Sequence, residues 1–308
     1  MNLKKTAAVL LSALLFAGCF SQPAQKAAPV TFTDDLDREV SLDSPRRTAA
    51  LIGSFADIWC LAGGKDTLCA AANDTWTSFD LNLPDTVQDL GPIKSPSTET
   101  LLASEPDFVL ASAKNEADLK LEDMLESADI PVAYFDVSSF DDYLRVLKIC
   151  TDLTGDTDAY KTYGTDLQAE IDKDIETARS HPSPDVLYLR ATGKGVSAKG
   201  SKGSVLGDML ANLNTTNVAD SDKSLLENLS VEAILKADPQ YIFIVYQGSD
   251  DTKARNRMEQ DLMSDPAWNQ LTAVKEGRVY VMDQKLYNLK PNARWAQAYT
   301  DLTHILYG

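Results

Sequence analysis

Ser97-Thr98-Glu99-Thr100-Leu101-Leu102-Ala103-Ser104-Glu105-Pro106-Asp107-Phe108-Val109 recurs later in the chain as Ser230-Val231-Glu232-Ala233-Ile234-Leu235-Lys236-Ala237-Asp238-Pro239-Gln240-Tyr241-Ile242. Each copy opens on a serine, places an acid two residues on, runs through a short apolar helix pattern and stops at a proline. A β-rich run follows each proline directly. Serine starts and proline stops are common punctuation on their own, but agreement along the whole stretch argues for a duplicated unit. The repeat therefore predicts two lobes of similar topology.

Outward from the two copies, short apolar runs alternate with helical segments. Strands are expected at 48–52, 68–72, 108–111 and 132–135, and again at 186–189, 241–245 and 279–282. Continuous β-rich runs separated by helices point to an α/β fold with mainly parallel sheets. Between the copies lies one long helical pattern, 156–179. Tyr160, Tyr163, Leu167, Ile171 and Ile175 fall on one stripe at spacings of three and four. Such a helix would reach roughly 36 Å, enough to cross from one lobe to the other. Gly155 precedes it, and Pro182 and Pro184 follow. The expected organisation is an N-terminal lobe at 30–155, a rigid connecting helix at 156–180 and a C-terminal lobe at 181–308.

The first residues read as a targeting segment. Lys4 and Lys5 form a basic start, and the apolar run 7–16 is too short to span a membrane. Phe16-Ala17-Gly18-Cys19 resembles the lipobox of bacterial lipoproteins, in which the cysteine thiol is lipidated and becomes the new N-terminus. Phe16 stands where that motif usually has leucine. Residues 1–18 are thus expected to be a signal peptide, with lipid on Cys19 and 19–29 a flexible tether. The chain would sit on the outer face of the cell membrane, held by lipid alone.

The 308 residues have a net charge of −17. So acidic a surface is repelled by nucleic-acid phosphates, and no nucleic-acid partner is expected. Cys60 and Cys150 sit in apolar helix-like patterns and read as small buried hydrophobes. A Cys60–Cys69 disulfide is open in an exported chain, and the sequence does not decide it. Only two histidines, His181 and His304, are present, which disfavours a directly bound metal. There is no Gly-x-Ser-x-Gly elbow and no phosphate loop with Gly-Lys-Ser/Thr, so neither enzyme activity nor a cofactor is expected. The glycines from Gly193 to Gly207 read as a mobile loop.

From about residue 30 onward the sequence resembles the periplasmic-binding-protein family that serves ABC importers of iron-siderophores, haem and cobalamin. The resemblance rests on 31–40, similar to that family's opening hairpin, on 49–58 with Leu61-Ala62-Gly63-Gly64, and above all on Glu99 to Leu110. It implies two α/β lobes on a rigid helix and a monomeric receptor that hands its solute to a permease. It also implies a docking role for Glu99 and Glu232, one acid per lobe against arginines of the permease. Fixed charges of this kind speed encounter and set orientation.

In open α/β lobes, ligands sit beyond the carboxyl ends of the strands. The residues expected there are Ser54, Phe55 and Trp76 in the first lobe. Arg190, Tyr246, Tyr287, Lys290, Arg294 and Trp295 are their counterparts in the second, with Asn292 a weaker candidate. Cations beside aromatic rings suit an anionic iron chelate. Cobalamin and haem are the alternatives, and Tyr246 could serve haem as an axial ligand.

Overall fold

The computed structural model describes residues 28–248 and 251–308. The signal peptide read at 1–18, the lipidation site Cys19 and most of the 19–29 tether lie outside the described residues.

The chain opens with an antiparallel hairpin of β1 (Val30–Thr33) and β2 (Glu39–Leu42). The first lobe follows, built on β3 (Thr48–Ala50), β4 (Leu68–Ala71), β5 (Gln88–Asp89), β6 (Phe108–Ser112) and β7 (Val132–Phe135). All five run parallel, in the order β5-β4-β3-β6-β7. Every residue of β3, β4, β6 and β7 is buried, as expected where helices cover both faces of a sheet.

The second lobe contains β8 (Asp185–Thr192), β9 (Gly195–Lys199), β10 (Thr216–Asn217), β11 (Tyr241–Tyr246) and β12 (Val279–Met282). Here the parallel order is β10-β8-β11-β12, and β9 pairs antiparallel with β8. The β8–β9 hairpin corrects the mobile-loop reading of Gly193 and Lys194. Thr192 pairs with Gly195, and the Thr192 hydroxyl accepts the Lys194 N–H at 3.1 Å, so these residues form a tight turn.

The repeat is conformational as well as sequential. Ser97 caps the helix Thr98–Ala103 by accepting the Thr100 N–H, and Ser230 caps Val231–Ala237 by accepting the Ala233 N–H. The residue before each proline, Glu105 or Asp238, is left-handed, at φ 45° and 42°. This lifts the chain off the helix end into the strand. The residue after each proline ties that strand to the lobe's first one. Asp107 accepts the Arg46 and Arg47 N–H groups at 2.9 Å, and Gln240 Oε1 accepts the Asp185 N–H at 2.9 Å.

Between the lobes a continuous helical run extends from Thr157 to Arg179. It contains one widened turn at Lys161–Thr165, where the Asp166 N–H bonds to the Lys161 carbonyl five residues back. The Tyr163 carbonyl at this turn accepts the Tyr143 hydroxyl at 2.8 Å. Tyr160, Tyr163, Leu167, Ile171 and Ile175 all face one apolar core. That core includes Phe55, Phe108 and Phe135 of the first lobe and Tyr188, Phe243 and Trp295 of the second. The lobes therefore share a single hydrophobic interior. Each has a separate cluster only on its far face.

Candidate functional site

The carboxyl ends of both sheets open on a cleft of about 470 Å³ between the lobes. The first lobe contributes Ile52 after β3, Ser112 at the end of β6 with Asn115 beyond it, and Asp136 to Ser138 after β7. Across from these stand Arg190 on β8, Gln247 after β11, and Leu289 and Lys290 in the loop beyond β12. Ser204 and Val205, at the start of the helix Val205–Asn212, complete that wall. The Ser204 hydroxyl is buried and has no hydrogen-bond partner among the described residues.

Lys94, Lys114, Arg190 and Lys290 line this space, and Asp136 is the one carboxylate among its described lining residues. In a chain of net charge −17, four cations around one cleft gather positive charge there. Arg190 is braced from below, with Nε and Nη2 donating to the Tyr188 hydroxyl at 3.2 and 3.1 Å. The Tyr188 phenol pKa is raised by burial, against the pull of Arg190. Lys199 pairs with Tyr188 across the hairpin, and burial together with Arg190 lowers its pKa.

Lys290 belongs to the second lobe but reaches the first. Its Nζ lies 5.5 Å from the centre of the Phe55 ring. Burial lowers its pKa, while the carboxylates of Asp136 and Asp74 pull it upward. An anion entering the cleft would meet a half-buried ammonium group, which strengthens the attraction relative to one in open water.

The first-lobe lysines hang on a buried polar network. Asp118 accepts the Ser112 N–H at 2.8 Å and the Asn115 side-chain N–H at 2.7 Å. Asn115 also donates to the Ile93 carbonyl at 2.6 Å. The loops bearing Lys94 and Lys114 are therefore pinned to one carboxyl group. Burial raises the Asp118 pKa to about 7, with a further contribution from Asp74. Lys114 ion-pairs with Asp136 at 3.4 Å.

The structure distributes the expected site residues unevenly. Arg190 and Lys290 line the cleft. Trp76 is 42% exposed on the short helix after β4, at the same end of the sheet. Ser54 and Phe55 are buried in the first turn of the helix Gly53–Trp59. Tyr246 is buried in the far-face cluster of the second lobe, with the Arg255 guanidinium 4.3 Å from its ring centre. Tyr287 is buried and donates to the Ala298 carbonyl at 3.2 Å. Trp295 lies wholly inside the shared core. Arg294 is exposed beside a separate recess with Asp57 and Asp80.

Asn292 has a structural post. Buried and left-handed at φ 51°, it donates to the Ser54 carbonyl at 3.0 Å and to Asp57 Oδ2 at 2.7 Å, bolting one lobe to the other. Burial raises the Asp57 pKa to about 6, opposed by Asn292 and Arg294. Glu99 and Glu232 are both exposed, each at the second position of its capped helix.

Sequence reasoning passed over Lys94, Lys114 and Asn115. Applying the strand-end rule to β6 as well would have found Lys114 and Asn115. Lys94 has no such signal, since it is brought in by a loop. Cys60, Cys69 and Cys150 are free thiols, and burial pushes Cys60 up to about 12. Among the described residues no helix is long and apolar enough to cross a membrane. Among them, too, no group of three or more His, Cys, Asp and Glu side chains could hold a metal ion.

Known proteins share this architecture. "Putative ABC transporter substrate-binding lipoprotein YhfQ" of Bacillus subtilis is 25% identical over 95% of this chain and 94% of its own length. The iron-uptake system-binding protein of the same organism is 26% identical over 90% and 89%. The crystal structure of Staphylococcus aureus SirA complexed with staphyloferrin B superposes with a TM-score of 0.71 at 19% identity, covering 90% of this chain and 97% of that one. The sequence profile of the periplasmic binding proteins matches residues 49–286, a span that takes in both sheets and most of the cleft. With its two parallel-sheet lobes on one helical spine and its strand ends turned to a shared cleft, the chain belongs to the periplasmic binding protein family.

Proposed function

We propose that this protein is the solute-binding component of an ABC importer, capturing an anionic iron chelate outside the membrane and delivering it to a permease. The observation that supports this most is the cationic cleft of Lys94, Lys114, Arg190 and Lys290 in an otherwise acidic chain. Guanidinium and ammonium groups suit the carboxylate and catecholate-type oxygens of such a chelate. The names of the relatives agree: one is an iron-uptake system-binding protein, and SirA was solved with staphyloferrin B. In this reading lipid on Cys19 keeps a monomeric receptor at the membrane, and Glu99 and Glu232 meet basic residues of the permease.

The test is a titration of the purified protein with ferric hydroxamate, catecholate and citrate-type chelates, with haem and with cobalamin, following tryptophan fluorescence. At least one anionic ferric chelate is expected to bind, more weakly as salt is raised. Binding of haem or cobalamin alone would transfer the assignment to that solute. Binding of none would end the solute-class reading and leave the fold untouched.

A further inference from the structure

Four large hydrophobic side chains are exposed among the described residues: Trp76, Leu102, Leu226 and Val281. Trp76 stands at the cleft end of the first sheet, and Val281 on the edge strand β12. Leu102 shares a helix with one repeat-related acid, and Leu226 lies on the helix next to that of the other. Leu102 is 40% exposed and sits three residues from Glu99 on the helix Thr98–Ala103, so the two share a face. Leu226 is 43% exposed on the helix Lys223–Glu227, which packs against the helix of Glu232.

The two lobes reach this arrangement by different routes. By the repeat, Leu235 is the counterpart of Leu102, but it packs against the second lobe's own core. Leu226 stands exposed on the adjoining helix instead, while its neighbour Leu225 is buried. Each corner also has a second exposed acid, Glu105 in the first lobe and Glu227 in the second. Lys236, the cation on the Glu232 helix, interacts with Asp222.

We infer that Leu102 and Leu226 are the apolar anchors of the permease-docking surface, one per lobe, each set within a rim of carboxylates. This rests on the docking reading of Glu99 and Glu232 given above and adds what those acids cannot supply. Exposed ion pairs steer and orient but hold weakly in salt, whereas desolvating a leucine in a socket slows departure. The partner that fits is a protein surface with two basic regions, each enclosing an apolar recess. An anionic lipid surface would be repelled by the same carboxylates.

The experiment uses the full chain loaded with solute and the cognate permease reconstituted in vesicles. Leu102→Ser and Leu226→Ser are each expected to weaken permease binding about fivefold, and together at least tenfold, mainly through faster dissociation. Solute affinity should stay at the wild-type value and Tm close to it, because each side chain is already about two-fifths exposed to water. Wild-type permease affinity in the double variant would overturn the inference. So would an equal loss of binding to permease-free vesicles, which would make the leucines lipid contacts. Glu99→Lys with Glu232→Lys is the separate control: loss of binding there with none in the leucine variants would keep the docking reading and reject the anchors.

Discussion

The two lobes agree closely on the side of the repeat and diverge at the cleft and at the sheet edges. At the repeat, serine caps, left-handed residues before proline and a side-chain tie to the first strand are reproduced feature for feature. At the cleft, the first lobe offers exposed lysines on loops pinned by a buried acid. Its partner offers an arginine on a strand, braced by a tyrosine. At the edges, β7 is closed by the opening hairpin: the Asp35 N–H bonds to the Tyr134 carbonyl at 2.9 Å, and Arg38 donates to the Val132 carbonyl at 2.9 Å. Among the described residues β12 has no comparable cover, and Val281 is 51% exposed there. A duplicated fold has thus kept what both lobes use alike and specialised the rest.

The largest contrast should appear with pH. Three carboxyl groups of the first lobe, Asp57, Asp74 and Asp118, have raised pKa values, mainly through burial, against Asp208 alone among the described residues of the second. The folded state then holds protons that the unfolded chain releases above its ordinary carboxylate pKa of 3.8. Their contribution to stability is greatest at the acid end and is lost as pH climbs toward about 7, by on the order of 4 kcal/mol for Asp118. Urea unfolding between pH 4.5 and 7.5 measures this, and Asp118→Asn should flatten the slope. An unchanged slope in that variant would remove Asp118 from the account.

Next in size is the difference between the two cleft walls. Arg190→Ala removes a braced guanidinium and should weaken an anionic chelate about 30-fold, or about 2 kcal/mol. Lys114→Ala removes an exposed ammonium already paired with Asp136 and should cost only about threefold. Calorimetric titration of both variants decides the matter, and equal losses would erase the proposed asymmetry.

The smallest contrast concerns the sheet edges. Arg38 donates to Asp34 at 2.6 Å and to Glu122 at 2.8 Å and lies 4.6 Å from the centre of the Tyr134 ring. Arg38→Ala should destabilise the protein by about 1.5 kcal/mol, since it leaves the buried Asp34 carboxylate short of its cation. Val281→Thr at the uncovered edge should stay within about 0.5 kcal/mol. A comparable loss from both in chemical denaturation would mean that the hairpin does not protect β7.

How far the sequence could be read follows from the range of the forces involved. Strands, capped helices and the apolar stripe of the connecting helix are local patterns, so both lobes and the spine were legible. The β8–β9 hairpin was not, because Gly193-Lys194-Gly195 has the composition of a loop whether or not strands flank it. Arg294 and Trp295 show why adjacent residues make poor joint candidates. Side chains one step apart on a helical turn point in different directions, and here one faces solvent and the other the core. Asn292, Asp57 and Asp118 acquire their roles only through partners brought together by the fold.

The interior shared by the two lobes has a mechanical consequence. Opening the cleft like a jaw would tear apart one continuous core and break the Asn292 bolt, so empty and filled forms of the cleft should differ by small local yielding. Such a body behaves as a stiff spring rather than a hinge. In the proposed role, whatever empties the cleft must do work against that stiffness, and a rigid cargo vessel would leave that work to the machine at which it unloads.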